Sequence, residues 1–361
     1  MAQAKATRTR LPPEIFDLPV EKMRAGWYTD AYFNYARETL LGDGRHPHVV
    51  MQVFQRKDAW LGGMDEAIAI LKLCAHEREG LEIRALYDGD RIEPWETVMT
   101  IEGDYTTFAH LETVYLGTLA RRTLITTNVV HVLDAANGKP VIFMPARHDH
   151  HRVQTGDGYA AYVGGQVTGT EVGVTTDEQA SWWGGRGIGT VPHSLIASYG
   201  GDTVLAAQRF AAWAAPDVNV TVLVDFENDS VRTALEVADA LGERLWGVRL
   251  DTAESLVDRS LWNALSDFKP TGVNERLVWN VREALDAAGH ARVKIVVSGG
   301  FTVEKIRAFE DAGVPVDAYG VGSSLIRGSN DFTADVVVTD GNPSGKVGRR
   351  LRENPRLELV T

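Results

Sequence analysis

The sequence predicts an α/β barrel together with a smaller α/β domain. In the second half of the 361-residue chain, apolar runs rich in Val, Ile and Leu alternate with segments of helical periodicity. Each of these apolar runs is followed by a residue suited to binding or catalysis; these residues are Arg147, Asp225, Asp251, Ser298 and Gly322. A doubly wound sheet would show the same alternation. The repeated polar strand ends favour the barrel, because barrel active sites are built there.

The first part of the chain mixes short strands with a helix. Strand-like runs occur at "HVVMQVFQ", "EIRALYDGDRI" and "TVMTIEGDY", and "MDEAIAILKLCAHE" has helical spacing. We place this α/β domain at residues 1–108. The segment "HLETVYLGTLARRTLITTNVVHVLDAA" predicts a long packed helix that opens the barrel domain, residues 109–328. Residues 329–361 return to short strands, "ADVVVTD" and "RLELVT", and are expected to rejoin the first domain.

The predicted barrel elements follow in order along the second domain. Apolar runs typical of buried parallel strands are "PVIFMPA", "VNVTVLVDF", "RLWGVRLD", "ARVKIVVSGG" and "VDAYGVGSSL". Helical periodicity falls between them, in "SVRTALEVADALG", "NERLVWNVREALDAAG" and "TVEKIRAFEDAG". Each of these helices closes on a glycine, a common helix end.

Composition excludes several classes of function. The net charge is -12, so we expect no general affinity for nucleic acid or an anionic membrane, both of which need a basic face. Cys74 is the single cysteine, so neither an internal disulfide nor a cysteine-built zinc site is expected, and a reducing cytoplasm is the predicted location. The N-terminal "MAQAKATRTR" lacks a following apolar core of signal-peptide length, and no apolar run reaches the roughly 18 residues of a membrane span.

Two glycine and serine turns predict phosphate binding. "VVSGGFT" places Ser298, Gly299 and Gly300 between a strand and a helix, where exposed backbone amides and the helix dipole favour an anion. The next strand ends in "YGVGSSL", with a second turn from Gly320 to Ser323. Either turn alone is explained by tight βα geometry. Consecutive turns after the last strands are typical of barrels that bind phosphorylated ligands.

Four further residues are candidates for the site, and three of them also have a structural interpretation. Arg249 and Asp251 in "GVRLDT" share one face of a strand, and form either a substrate contact or a structural ion pair. His193 follows "SWWGGRGIGTVP" and precedes a helix, so it is either an exposed base or phosphoryl acceptor, or a helix cap. Asp225, after "VLV", is a candidate contact for magnesium or pyrophosphate.

Two further segments have the residue types of ligand-binding sites. The first has several interpretations, and the second lacks the spacing that its motif requires. "RHDHHR", Arg147 to Arg152, predicts a metal site, an anion pocket or a solvated loop, and a continuing strand would put His148 and His150 on one face. The residues of this segment alone leave the three interpretations open. "DGNPSGKVGRR" has the wrong spacing for a P-loop and lacks Ser or Thr after Lys346, so we predict a turn between strands.

Taken in order, "YTDAYF", "HLETVYLGTLARRTLITTN", "GTVPHSLI", "VRLDT", "VSGGF" and "GVGSSL" resemble the nicotinate phosphoribosyltransferase family. This is the barrel-type (type II) group, with nicotinamide and quinolinate enzymes as relatives, and the likeness runs from about residue 27 to 350. It implies an irregular α/β barrel with an N-terminal α/β sandwich domain completed by the C-terminal tail. It also implies a homodimer or higher homo-oligomer with shared active sites.

The reaction implied by the resemblance is an ATP-dependent pentosyl transfer of NAD salvage. Nicotinate receives 5-phosphoribose from phosphoribosyl diphosphate, with Mg²⁺ required and ATP as co-substrate. His193 would take a phosphoryl group from ATP, and the carboxylates of Asp251 and Glu171 would stabilise positive charge at the anomeric carbon.

The remaining roles implied by the resemblance concern binding. Tyr32 would stack on the pyridine ring from the partner subunit, Arg147 would pair with the nicotinate carboxylate, and Arg249 and Thr170 would contact substrate. The residues implied to hold the 5-phosphate are Ser298, Gly299, Gly300, Gly320, Gly322 and Ser323. No resident metal ligand is assigned.

Departures from the family pattern keep other functions open. "ARHDHHR" stands where the family often has a paired "RR", "GGQVTG" where it has "GGFD", and the "R-K-T-T-P-G" segment of quinolinate enzymes is missing. A quinolinate (decarboxylating) or nicotinamide enzyme is therefore the alternative. Two other classes are a metal-dependent barrel hydrolase that uses "HDHH" and a non-catalytic nucleotide sensor.

Overall fold

A computed structural model of the chain describes residues 8–77, 80–264 and 268–361. Residues 1–7, most of the segment weighed above as a possible leader, lie outside the described residues. The chain divides into two compact units, Met1–Thr127 with Gly328–Thr361 and Asn128–Arg327. We call them the sandwich unit and the barrel unit.

The helices and strands have the following bounds. The α-helices are α1 (Val20–Arg24), α2 (Ala31–Gly42), α3 (Met64–Cys74), α4 (Tyr105–Phe108), α5 (Glu112–Ala135), α6 (Gln154–Thr168), α7 (Asp177–Ala180), α8 (His193–Ser198), α9 (Thr203–Trp213), α10 (Ser230–Leu241), α11 (Glu275–Ala287) and α12 (Val303–Asp311). The strands are β1 (His48–Phe54), β2 (Ala59–Trp60), β3 (Glu82–Ala85), β4 (Arg91–Ile92), β5 (Thr97–Asp104), β6 (Val141–Phe143), β7 (Val172–Val174), β8 (Val220–Leu223), β9 (Leu245–Leu250), β10 (Lys294–Val297), β11 (Ala318–Val321), β12 (Thr333–Thr339), β13 (Asn342–Pro343) and β14 (Glu358–Leu359).

The sandwich unit contains an antiparallel sheet in the order β13-β12-β1-β5-β3-β14. The central strand β1 pairs with β12 on one side and β5 on the other, so Val53 lies opposite both Ala334 and Met99. Helix α3 packs its buried face, which includes Met64 and Leu71, into the same core. The C-terminal strands thus belong to the same sheet as the first strands of the chain.

The long helix α5 crosses the division between the units. Tyr115 and Leu119, in its first turns, are fully buried in the core that contains β1 and β5. The division therefore falls after Thr127, within the helix, whereas the sequence analysis put it before the helix, at residue 108. Helical periodicity shows that a face is buried and does not show which core receives it.

The barrel unit is built on a parallel sheet in the order β7-β6-β11-β10-β9-β8. Its edge strands are joined by a short segment, residues 187–191, which makes parallel bridges from Gly187 to Val174 and from Val191 to Val222. The amide of Ile188 donates to the carbonyl of Val174 over 2.8 Å. These bridges close the sheet into a ring, so the predicted irregular α/β barrel is confirmed.

The outer helices bury one stripe each against this ring. Residues Leu277, Val278, Val281 and Leu285 form the buried face of α11, with the spacing of an amphipathic helix. The strands beneath are buried along almost their whole length, as the apolar runs predicted. Within the described ranges, no helix combines the length and apolar character needed to cross a membrane.

The close packing of α6 against α7 gives a test of the barrel unit. A methyl group at Gly158 would lie 2.2 Å from the carbonyl oxygen of Gln179, whereas one at Gly117, in α5, would meet nothing within 4 Å. Gly158→Ala should lower the free energy of unfolding by about 1–3 kcal/mol through overpacking. Gly117→Ala should raise it by about 0.5–1 kcal/mol through helix propensity. Thermal unfolding followed by circular dichroism would contradict this packing if both variants shifted the midpoint alike.

Candidate active site at the carboxyl ends of the barrel strands

Three polar side chains at the ends of β9 and β10 form one hydrogen-bonded network. Nε of Arg249 donates to Oγ of Ser298 over 2.8 Å, and Oγ donates to Oδ1 of Asp251 over 2.6 Å. Nη2 of Arg249 also lies 3.3 Å from Oδ2 of Asp251. Parallel pairing of Leu250 with Val297 brings these positions together. Arg249 and Asp251 are 17% and 20% exposed, so the network is fixed while part of each charged group still meets solvent.

His193 and Asp225 form a second pair at the same end of the barrel. Asp225 follows β8, and Nε2 of His193 lies 2.9 Å from its Oδ1. The ring is 44% exposed and the carboxylate 6% exposed. Pro192 occupies the N-cap position of α8 and His193 is the first residue of the helix, with its ring against Asp225, so the prediction that His193 caps the helix is wrong.

The charge on His193 depends on its neighbours. The hydrogen bond with Asp225 raises the pKa of His193 above its usual value, and burial opposes that shift. The charge of Asp251 raises this pKa as well, while that of Arg249 lowers it. The histidine pair and the arginine network are therefore close enough for their charges to act on one another.

The turn after β10 has the backbone of an anion-binding loop. Gly299 and Gly300 have φ of +85° and +71°, a conformation that glycine adopts without strain. Helix α12 follows, and the side chain of Thr302 caps its N-terminus. A methyl group at Gly300 would lie 2.1 Å from Oε1 of Glu254, the end of a flexible side chain, so the positive φ rather than lack of space favours glycine here. Successive backbone amides before a helix N-terminus favour a bound anion.

The second predicted turn lies directly beside the first. Strand β11 pairs with β10, and Oγ of Ser324 donates to the carbonyl of Phe301 over 2.9 Å. A methyl group at Gly320 would lie 3.1 Å from Cβ of Ser298. One at Gly322 would lie 3.0 Å from Cε1 of a histidine that follows β6. Ser323 begins a short 3₁₀ helix, Ser323–Ile326. The structure therefore brings the two glycine and serine turns together.

The "RHDHHR" segment forms two short 3₁₀ helices, Pro145–His148 and His151–Val153. The strand alternation considered for its histidines is therefore wrong, because β6 ends before Pro145. Arg147 is exposed at the carboxyl end of β6, and His148 is the residue close to Gly322. Among the described residues, no group of three His, Cys, Asp or Glu side chains is placed to hold a metal ion.

Thr170 and Glu171 lie outside the cluster, and their predicted roles are corrected. Both precede β7, and the carbonyl of Glu171 accepts from the amide of Val141, at the start of β6. Since β6 and β7 are parallel, these residues are at the amino ends of the strands, opposite the carboxyl ends that carry the cluster. Gly169 ends α6 in a left-handed conformation, so "GTEV" is the turn that leads into the strand.

Tyr32 belongs to the sandwich unit, on α2. Its side chain is 61% exposed, and its hydroxyl lies 3.4 Å from Oδ2 of Asp30. Its stacking on a pyridine ring stays a prediction.

Sequence reasoning missed three residues of the cluster. Thr190 accepts from Nη1 of Arg249 over 3.3 Å, and Glu254 faces Gly300. Nζ of Lys305 donates to the carbonyl of Gly299 over 3.4 Å, and burial lowers its pKa. Thr190 is part of the "GTVPHSLI" motif, and the sequence shows a lysine shortly after the "VSGGF" turn, so both residues could have been predicted. Glu254 left no such signal, because its position depends on the path of a loop.

Comparisons with known proteins agree on one group. The family model described as "Quinolinate phosphoribosyl transferase, N-terminal domain" matches residues 30–123. Nicotinate phosphoribosyltransferase pncB1 of Mycobacterium tuberculosis is 31% identical over 275 residues, 73% of this chain and 55% of that protein. Its pncB2 counterpart is 25% identical over 279 residues, 74% and 54%. The chain thus spans about half the length of these curated relatives.

Solved structures extend the likeness to the whole chain. The structure titled nicotinate-nucleotide pyrophosphorylase from Pyrococcus furiosus aligns with a TM-score of 0.79 and 29% identity, covering 100% of this chain and 86% of that one. Human nicotinic acid phosphoribosyltransferase aligns with a TM-score of 0.63 over 88% and 76% of the two chains. At 17% identity, the human protein shows a likeness of fold alone.

The charge coupling within the site can be measured on His193. Asp225→Asn removes the charged acceptor and should lower the pKa of His193. Titration of the histidine Cε1 protons by NMR, with the His193 signal identified through its loss in His193→Gln, measures the shift. Asp217→Asn, a change at an exposed position that does not act on His193, is the control. An unchanged His193 titration in Asp225→Asn would show that the pair does not form.

Proposed function

We propose a reaction for this chain, which belongs to the nicotinate phosphoribosyltransferase family, the barrel-type group that includes the quinolinate and nicotinamide relatives. The enzyme transfers 5-phosphoribose from phosphoribosyl diphosphate to the ring nitrogen of nicotinate. The products are nicotinate mononucleotide and pyrophosphate. One observation supports this most strongly: the Arg249, Ser298 and Asp251 network lies beside two adjacent anion-binding turns.

The turns and the network suit the two ends of the ribose. The backbone amides that follow Ser298 and Gly322 would hold the 5-phosphate, since glycine allows close approach and α12 adds its dipole. As the bond to diphosphate breaks, positive charge develops at the anomeric carbon. The carboxylate of Asp251, already oriented by Ser298, would stabilise that charge.

The base and the leaving group need cationic partners. Arg147 is exposed at the end of β6 and would pair with the nicotinate carboxylate through its planar fork. Asp225 and Asp251 supply the oxygen donors that magnesium prefers when it binds through one or two carboxylates and substrate phosphates. Magnesium would neutralise charge on the diphosphate.

We extend the proposal to ATP coupling through His193. With Nε2 donating to Asp225, the neutral ring keeps the Nδ1 lone pair free to accept a phosphoryl group. The ring is 44% exposed, so a nucleotide can reach it. Because phosphorylation needs the neutral form, the raised pKa of His193 should move the onset of ATP coupling to higher pH.

A quinolinate-specific (decarboxylating) reaction is the second candidate. It is supported by the family model that matches residues 30–123, whose description names the quinolinate enzyme. The curated relatives, named as nicotinate enzymes, favour nicotinate.

A substrate panel separates these reactions. Purified protein with phosphoribosyl diphosphate and magnesium should release pyrophosphate with nicotinate, and more slowly with nicotinamide or quinolinate. Asp251→Asn should lower kcat about 10²–10³-fold, the usual effect of removing one stabilising group at developing charge. Pyrophosphate release with quinolinate alone, accompanied by carbon dioxide, would contradict the nicotinate assignment.

The role of His193 is tested by ATP dependence. His193→Ala should lose the stimulation of nicotinate turnover by ATP while retaining slow basal transfer. His290→Ala is a matched control, because His290 also binds an aspartate, Asp239, over 2.8 Å, away from the strand ends that carry the site. Equal ATP stimulation in the wild type and in His193→Ala would rule out coupling through this residue.

A further inference from the structure

A cluster of arginines surrounds Trp95 in the sandwich unit, and the proposed reaction does not use it. The guanidinium carbons of Arg56, Arg349 and Arg352 lie 5.3, 5.2 and 5.4 Å from the centre of the Trp95 ring. Phe54 stacks on the same ring at 5.5 Å. We call Arg56, Arg349, Arg350 and Arg352 the arginine cluster.

Buried polar side chains hold the backbone of this cluster in place. Gln52 is 2% exposed, and its amide group donates to the carbonyl of Arg350 over 3.0 Å and accepts from the amide of Arg352 over 2.9 Å. Thr97, 1% exposed, donates to the carbonyl of Arg352 over 2.7 Å. Residues 350–352, at and just after the end of the "DGNPSGKVGRR" segment predicted to be a turn, are therefore anchored on strands β1 and β5. Little backbone entropy remains to be lost when a ligand binds its arginines.

The cluster carries more positive charge than its surroundings neutralise. Arg349 pairs with Asp335 over 3.0 Å. Within the part of the chain that the structure describes, no carboxylate lies within 4.0 Å of the guanidinium groups of Arg56, Arg350 or Arg352. On a chain of net charge -12, this is a local concentration of like charge. Contacts with the Trp95 ring offset this repulsion only weakly at an exposed site.

A depression beside Trp95 gives the cluster a common point of access. It is small and partly open to solvent. Its lining consists of Gln52, Phe54, Trp95, Gly348, Arg349, Arg350 and Arg352. Because the Trp95 ring already contacts Phe54 and three guanidinium groups, a ligand meets arginine rather than a free aromatic face.

We propose that the arginine cluster binds a small oxyanion made of linked phosphates, such as pyrophosphate or tripolyphosphate. Guanidinium forks match phosphate oxygens in pairs, and several forks on one anchored loop select a multivalent anion over a single phosphate. The binding site lies within the sandwich unit, so the proposal is independent of the reaction assigned to the barrel.

Calorimetric titration with tripolyphosphate, without magnesium, tests the proposal. Wild type should show a salt-dependent binding event that Arg352→Ala weakens about tenfold, as expected for the loss of a charge-assisted contact. Arg45→Ala, at an exposed arginine of the same unit, should bind like wild type. The fold of Arg352→Ala is checked by its thermal midpoint, because the backbone of Arg352, not its side chain, anchors the loop.

Binding at the barrel site is separated by a second variant. Arg249→Ala should abolish any binding event that belongs to the strand-end cluster and leave the event assigned to Arg352. The proposal is overturned if every event disappears in Arg249→Ala, or if Arg352→Ala binds tripolyphosphate as tightly as wild type. At the event that depends on Arg352, measured in Arg249→Ala, ATP should bind no more tightly than tripolyphosphate. A tenfold preference for ATP at that event would overturn the assignment to an oxyanion.

Discussion

The hydroxyl of Ser298 joins the ends of two neighbouring barrel strands, and the arrangement of the charged groups depends on it. It accepts from Arg249 and donates to Asp251 at once, so it fixes both side chains relative to the turn that begins at Ser298 itself. Such a junction requires parallel strands in register, with Leu250 opposite Val297. The closed barrel supplies that register, and the short segment 187–191 that closes it leads directly to His193.

The site pairs its positive and negative groups while leaving them accessible. Arg249 faces Asp251, and His193 faces Asp225. Each carboxylate therefore has a partner of opposite or titratable charge, and no carboxylate of the two pairs is buried alone. The backbone amides of the two glycine and serine turns remain available for an anion. A ligand that brings both phosphate and a developing positive charge complements these two features together.

Much of this arrangement could be predicted from the sequence, because strand burial and strand ends leave direct signals. The apolar runs predicted β6 and β8 to β11, and the residues at their ends predicted Arg249, Asp251 and the glycine turns as site residues. His193 was singled out by the glycine-rich stretch before it and the helix after it. Thr170 and Glu171 were misplaced because their roles came from the resemblance alone, and β7, only three residues long, was not predicted to follow them. The closing segment 187–191 is rich in glycine and too short to show periodicity. The arginine cluster was invisible, since it joins residues 56, 95 and 349–352 through tertiary contacts.

We propose that the carboxyl ends of the barrel strands bind a pyridine nucleotide. A crystal structure of the protein with nicotinate mononucleotide tests it most directly. The phosphate should lie within hydrogen-bonding distance of the backbone amides after Ser298 and Gly322. The ribose should lie beside Asp251, and the ring carboxylate should face Arg147. A nucleotide bound elsewhere, with these amides in contact with solvent alone, would contradict it.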